Sequence, residues 1–223
     1  TLYKVVRQVW SKVVGKLTGG KINVKDFKQP ADVVTAAGVN WLDSGARPKY
    51  APFFLFLHYM DPHDPYMNHK HPGVGYARVR MGTDMDPAEW KEKLQQAYIG
   101  EIEYCVKYIG GLIDWLKQRG LYDNSLIVFT ADHGEEFHEH GGWWHGLSLY
   151  DEQIGIPLLF KLPQNQLAGQ ACGYLARHVD LGPTLLQFAN ADPKEAVDAK
   201  MQGEPLFAKE NAAKFNDVSG GYI

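Results

Sequence analysis

The sequence predicts an α/β protein, a mixed and mainly parallel sheet flanked by helices. Two apolar runs, Pro52 to His58 and Leu126 to Phe129, have the length and composition of buried strands. Between them, Tyr98, Ile102, Cys105, Ile109, Leu112, Ile113 and Leu116 recur at helical spacing on one face. Both apolar runs end in turn residues mixed with His and Asp, and in open α/β sheets ligands bind beyond the carboxyl ends of strands.

In chain order, Leu2, Val5, Val6, Val9, Val13 and Val14 form an amphipathic stripe over 1–17, read as a helix packed on the sheet and stopped by Thr18-Gly19-Gly20. Residues 21–30 are polar loop, and Val33, Val34, Ala37, Trp41 and Leu42 predict a second helix from Ala31, closed by a loop over 43–50. The apolar run after Pro52 predicts a central strand covered on both faces, and the two prolines of Asp61-Pro62-His63-Asp64-Pro65 stop its pairing and fix a loop. Asn68 to Asp86, with His69, Lys70, His71, Arg78 and Arg80, is read as a surface loop or an anion-contacting one. Asp86 is set to cap one or two helices over 87–118, with Glu89 at the third helical position, and Gly120 marks their end. Cys105 on that stripe reads as a small core hydrophobe.

After the strand from Leu126, Ile156 to Lys161 predicts another, Gly169 to Ala176 an edge strand, and Asp180 an N-cap with Pro183 in the first helical turn. Three regions follow: a helical lead-in over 1–50, an α/β core over 51–190 and a polar tail over 191–223.

At 223 residues, 45% hydrophobic and 22% charged, the chain can bury a sizeable core. A net charge of −3 argues against a nucleic-acid partner. Two cysteines make neither a disulfide framework nor a zinc-finger spacing. No apolar run approaches the roughly 20 residues of a membrane span. Oligomeric state is not readable.

Asp132, His133, Glu135, Glu136, His138, His140 and His145 crowd the end of the Leu126 strand, residue types that bind metals and anions. Gly134 lets the backbone turn there, so the Asp-His pair can face one site. The cluster reads as a metal-centred active site. His138 and Glu139 read as solvated loop, His140-Gly141-Gly142 as a loop-shaping element. Trp143 and Trp144 divide evenly between walling the cleft against an aromatic or sugar substrate and packing the core.

Asp132-His133-Gly134-Glu135 with His145-Gly146, Leu149-Tyr150 and Ile156 to Phe160 closely resembles the sulfatase family of the alkaline phosphatase superfamily. Phe53 to Tyr59 leading into Asp61-Pro62-His63-Asp64-Pro65-Tyr66, and the segment Tyr98 to Asn124, resemble the same family in the same order, as do Val179 to Leu185 and Met201 to Leu206. The resemblance implies an alkaline-phosphatase-like sheet, incomplete on its amino-terminal side. It also implies metal-dependent hydrolysis of sulfate esters.

Family members carry a nucleophile, formylglycine from Cys-x-Pro-x-Arg or a Thr or Ser, near their amino terminus. Neither Cys105 nor Cys172 sits in that motif, so the expectation is a carboxyl-terminal part of the catalytic domain, inactive alone, with its nucleophile upstream. Asp132 and His133 are the implied metal ligands, calcium by family default, with zinc or manganese compatible with imidazole and carboxylate. His63 and His145 are the implied catalytic and substrate-contacting residues. Many sulfatases carry Lys where this chain has His145, which keeps phosphodiester or phosphonate monoester hydrolysis and phosphoethanolamine transfer open, as well as a non-catalytic protein that retains the fold. The implied partner is a small-molecule or glycan sulfate or phosphate ester, and the family leaning is periplasmic or extracellular.

Overall fold

The structure, a computed structural model, describes residues 29–45, 51–67, 75–76, 81–173, 175–192 and 200–207. The expected helix over 1–17, most of the loops around 21–30, 43–50 and 68–80, and the tail beyond 207 lie outside the described residues. The elements in order are α1 (Ala31–Asp43), β1 (Tyr66–Met67), β2 (Gly75–Tyr76), α2 (Pro87–Gln118), β3 (Ile127–Thr130), β4 (Glu136–Phe137), β5 (Trp143–Trp144), α3 (Asp151–Ile154), β6 (Leu158–Lys161) and α4 (His178–Phe188). They divide into two compact units, one within residues 9–122 and Gly134–Ile154, the other holding Asp123–His133 and the described residues from Gly155 on.

In the first unit α2 is a single 32-residue helix. Asp86 caps it as expected, accepting from the Ala88 N–H at 3.0 Å, and Pro87 occupies the first helical position, where a missing N–H costs nothing. Gly120, at φ 65°, turns the chain out of the last turn, and Leu121 N–H closes onto Leu116 O at 2.9 Å. Leu94, Cys105, Leu112 and Leu116 are buried along one face, and burial pushes the Cys105 thiol up to about 12, so it stays a neutral core group. Glu101, also buried on that face, has no place in an apolar stripe read from sequence.

Helix α1 packs on α2, and the Arg119 guanidinium reaches Asp43 at 2.9 Å. Its N-cap residue, Pro30, offers no side-chain acceptor, so the buried carboxylate of Asp61 does instead, taking the Ala31 N–H at 3.1 Å. The run 51–60 is extended, but it joins no ladder among the described residues. Leu57 lies against α1, where a Cβ on Gly38 would stand 3.1 Å from its Cδ2, whereas Phe54 and Phe56 alternate outward, 57% and 65% exposed. The expected strand covered on both faces is therefore covered on one.

An aromatic core of Tyr66, Phe137, Trp143 and Trp144 with Leu94 fills the rest of this unit, with Trp90 and Tyr98 packed against it. Two short antiparallel ladders hold it. They are β1–β2, pairing Tyr66 with Tyr76, and β4–β5, pairing Glu136 with Trp144 and Phe137 with Trp143. Two-residue strands carry too little periodicity to stand out in a sequence.

In the second unit β3 pairs antiparallel with β6, from Ile127 against Lys161 to Thr130 against Leu158. Lys161 turns its ammonium back onto the carbonyls of Asp123 and Ser125, at 3.0 and 3.1 Å, closing the turn into β3. The α/β class holds, and each ladder among the described residues is antiparallel. The N-cap of α4 is Arg177, not Asp180. The Asp180 carboxylate sits at the third helical position and accepts the Arg177 N–H at 2.9 Å and its guanidinium at 2.8 and 3.1 Å. It also accepts Glu204 N–H at 3.0 Å, while Leu206 N–H bonds Thr184 Oγ1 at 2.9 Å, so the 203–206 segment is stitched to the helix. Pro183 lies inside α4 rather than in its first turn, and no strand forms among the described residues of 169–176. Among the described residues no helix is long and apolar enough to cross a membrane.

Candidate active site

The turn after the extended run places His63. Its N–H bonds Met60 O at 3.1 Å, and its Nδ1 lies 2.7 Å from the Asp64 carbonyl and 3.4 Å from the Asp64 carboxylate. A carbonyl can only accept, so Nδ1 carries the proton and the lone pair resides on Nε2. His145 directly follows β5, and its Nδ1 faces Glu135 Oε1 at 2.9 Å. The two rings meet edge to face, centroids 4.9 Å apart at 66°, and a ring nitrogen of one lies within 4.8 Å of one of the other. Two imidazoles expected from sequence at one site are thus neighbours in one unit, although 82 positions separate them.

Glu135, read from sequence only as one member of the metal- and anion-binding cluster, has specific partners. Its side chain is 3% exposed, one carboxylate oxygen takes His145, and the other accepts the phenolic O–H of Tyr66. Burial, then the Glu135 charge, pushes the Tyr66 hydroxyl far above its ordinary range, so it stays a neutral donor. Tyr98 is shifted the same way for the same reasons.

Glu136 has a different job. Buried, it accepts Gly142 N–H and Gln153 Nε2 at 2.7 Å each and His140 N–H at 3.3 Å, tying the 138–142 connection to α3. Those bonds consume its carboxylate in loop structure. His140 Nδ1 meets Glu152 at 2.6 Å and its ring stacks on Tyr150 at 3.8 Å, so this loop is shaped as expected. The bond to Glu152 raises the His140 pKa, and the same bond lowers that of Glu152.

Trp143 and Trp144 are 2% and 1% exposed and belong to the core, the packing side of the sequence alternatives; the Trp144 indole N–H is spent on Gly82 O at 2.9 Å. A substrate wall needs accessible rings, which these are not.

In the second unit Asp132 and His133 follow β3. The Asp132 carboxylate accepts the His133 N–H at 3.1 Å, and its Oδ1 stands 3.8 Å from His133 Nε2. Ligand bonds of roughly 2.0–2.2 Å let a carboxylate oxygen and an imidazole nitrogen that far apart reach one divalent ion, so this pair fits a metal. The Asp132 side chain is 77% exposed, open to coordination. His178 Nε2 bonds the carbonyl of Ala131 at 2.8 Å, tying α4 to the end of β3.

Gly134 then enters the first unit. It does not adopt a positive φ; its N–H bonds Gln153 O at 2.7 Å, and a Cβ would stand 2.1 Å from the Glu152 carbonyl oxygen. Close approach to the α3 backbone, rather than conformational freedom, demands glycine here.

Comparison with known proteins shows the family and the fold. The sulfatase family profile matches residues 17–191, and the chain belongs to the sulfatase family. It is 31% identical over 118 residues to an N-acetylglucosamine-6-O-sulfatase of Bacteroides thetaiotaomicron, covering 52% of this chain and 20% of that protein. It is 25% identical to arylsulfatase K of Xenopus laevis over 94% of this chain and 44% of that protein. Among solved structures, one in complex with its substrate D-glucosamine-2-N,6-O-disulfate superposes with a TM-score of 0.64 at 20% identity, over 89% of this chain and 54% of the other. The fold is accordingly that of the alkaline phosphatase superfamily. The chain spans less than half the length of the curated relatives it matches.

Proposed function

We propose that the protein carrying this chain hydrolyses sulfate esters with a divalent metal, Asp132 and His133 holding the ion and His63 and His145 contacting the ester. The observation that carries the reading is the His63–His145 pair, each imidazole anchored through Nδ1 and so presenting Nε2 chemistry. Ester hydrolysis displaces an alkoxide from a centre crowded with anionic oxygens, so positive charge and a proton must be supplied there. A bound divalent ion would supply Lewis acidity toward those oxygens. A protonated Nε2 on His63 or His145 donates to the ester oxygens or to the departing alkoxide, and the neutral ring takes the proton back from water.

The nucleophile is supplied by a segment upstream, so the chain alone is inactive and the longer protein is the object of the assay. Chain relatives name a glycan substrate, the N-acetylglucosamine-6-O-sulfatase among them, which supports a glycan or small-molecule sulfate ester. Imidazole at position 145, where Lys is common in sulfatases, favours as second reading a phosphodiester or phosphonate monoester substrate.

The test is turnover by the longer protein of an aryl sulfate, a bis-aryl phosphodiester and an aryl phosphonate monoester, each with and without chelator. Sulfate release abolished by chelator supports the first reading, and preference for the phosphorus esters the second. No turnover of any of the three by metal-loaded full-length protein would sink both.

A further inference from the structure

We infer that Glu135 and Tyr66 are positioning residues for His145: the buried carboxylate fixes the proton on Nδ1, and the Tyr66 phenol fixes the carboxylate. The inference rests on the reading of His145 as an ester contact and adds the device that sets which nitrogen it presents.

Three observations converge. Taking a carboxylate out of water is costly unless its oxygens are engaged, and both Glu135 oxygens are, one by a ring nitrogen 10 positions away and one by a phenol 69 positions away. Neither partner belongs to the regular hydrogen bonding of a helix or ladder, so the contacts are not a by-product of secondary structure. The phenol stands in the aromatic core of the unit. Tyr66 is fully buried, its ring in contact with Tyr98, Phe137 and Trp144 at centroid distances of 5.6, 6.3 and 5.8 Å.

The aromatic core therefore has a polar outlet. It runs from Tyr66 O–H to Glu135 to His145 Nδ1, ending at a ring 17% exposed beside His63. An imidazole whose Nδ1–H is held by a carboxylate offers its Nε2 lone pair or, once charged, an Nε2 proton, in a fixed orientation. This explains why Trp143 and Trp144 sit in the family-matched segment while being buried. They hold the base of the device rather than the ester.

The tautomer is directly readable by long-range 1H–15N correlation of 15N-histidine-labelled protein after dialysis against a chelator, assigned with His145→Gln. The expected result is the Nδ1–H form of His145 in the parent protein, moving toward Nε2–H in Glu135→Gln, whose amide turns an N–H toward the ring. Metal content as purified should stay within about two-fold of the parent, whereas loss of a true ligand or its outer partner costs roughly 10- to 100-fold in affinity. An Nε2–H form in the parent overturns the inference whether or not any variant folds, as does an unmoved tautomer in Glu135→Gln. Metal loss in Glu135→Gln also overturns it, by making Glu135 a ligand. None of these readouts needs turnover, so a failed hydrolase assay and a failed positioning role are told apart.

Discussion

At the level of single residues, residue type marked a cluster of His and carboxylates and the family resemblance singled out four of them. His63, His145, Asp132 and His133 stood out as imidazoles and carboxylates beyond apolar runs, and the structure sets the first two ring to ring and the second two side by side after β3. Glu135 and Glu136 are adjacent and chemically identical, and nothing in their spacing separates a carboxylate that holds an imidazole from one that holds a loop. Only the partners do so, and those come from positions 66, 145, 142 and 153. The two indoles could not be assigned from sequence either, because a Trp beside a cluster of His looks the same whether it lines a cleft or fills a core.

For His145 the expectation is that His145→Ala lowers kcat/KM for the preferred ester by about 100- to 10,000-fold, the usual worth of a positioned acid or base, with metal content unchanged. Steady-state kinetics with elemental analysis on the longer protein checks it. A matched fall in metal would make His145 a ligand instead.

At the level of elements, α2 was readable in detail because its cap, stripe and terminal glycine are local signals, each confined to one turn. The α4 cap was misplaced by three residues because Asp180 acts backward, from the third helical position onto Arg177, and a capping pair can be entered from either end. The run 51–60 showed its apolar character but neither its alternating burial nor its partners, since both depend on long-range contacts.

Two predictions belong at this scale. Gly134→Ala forces a Cβ to 2.1 Å from a backbone oxygen that cannot swing away, and should cost roughly 1–3 kcal/mol, read as a lower midpoint in urea unfolding. The His140–Glu152 clasp has two pH limits. The raised imidazole contributes its stability fully below the ordinary histidine range, and that is lost as pH rises through the raised value. The lowered carboxylate contributes above the ordinary carboxylate range and loses it as pH falls. Hydrogen-exchange protection factors over 138–153, with the intrinsic pH dependence of exchange divided out, should therefore be highest between about pH 4.3 and 6.5 and fall on either side, and His140→Ala should flatten both limbs.

At the level of the molecule, the α/β class followed from the apolar runs and the helical stripe between them, and the family from motif blocks in order, whereas the division into two units did not. Among the described residues the boundaries fall at Tyr122–Asp123, His133–Gly134 and Ile154–Gly155, within or beside the most family-like stretch, and no composition shift marks them. The second unit is cross-linked by Asp180, which joins α4 to the 203–206 segment and whose carboxyl Arg177 holds down at about 2. A lowered carboxyl stabilises above its ordinary value and loses that contribution as pH falls, so unfolding of this unit should set in between about pH 4 and 2. Asp180→Asn should cost on the order of 1–2 kcal/mol at neutral pH and flatten that acid limb, followed by circular dichroism against pH.

The metal assignment is the claim on which the rest depends, and calorimetric titration of calcium, manganese or zinc into the chain reaches it without a nucleophile or a substrate. The account predicts saturable binding of one of these ions, abolished in Asp132→Ala. Full binding retained by Asp132→Ala, or none by the parent chain, would contradict it.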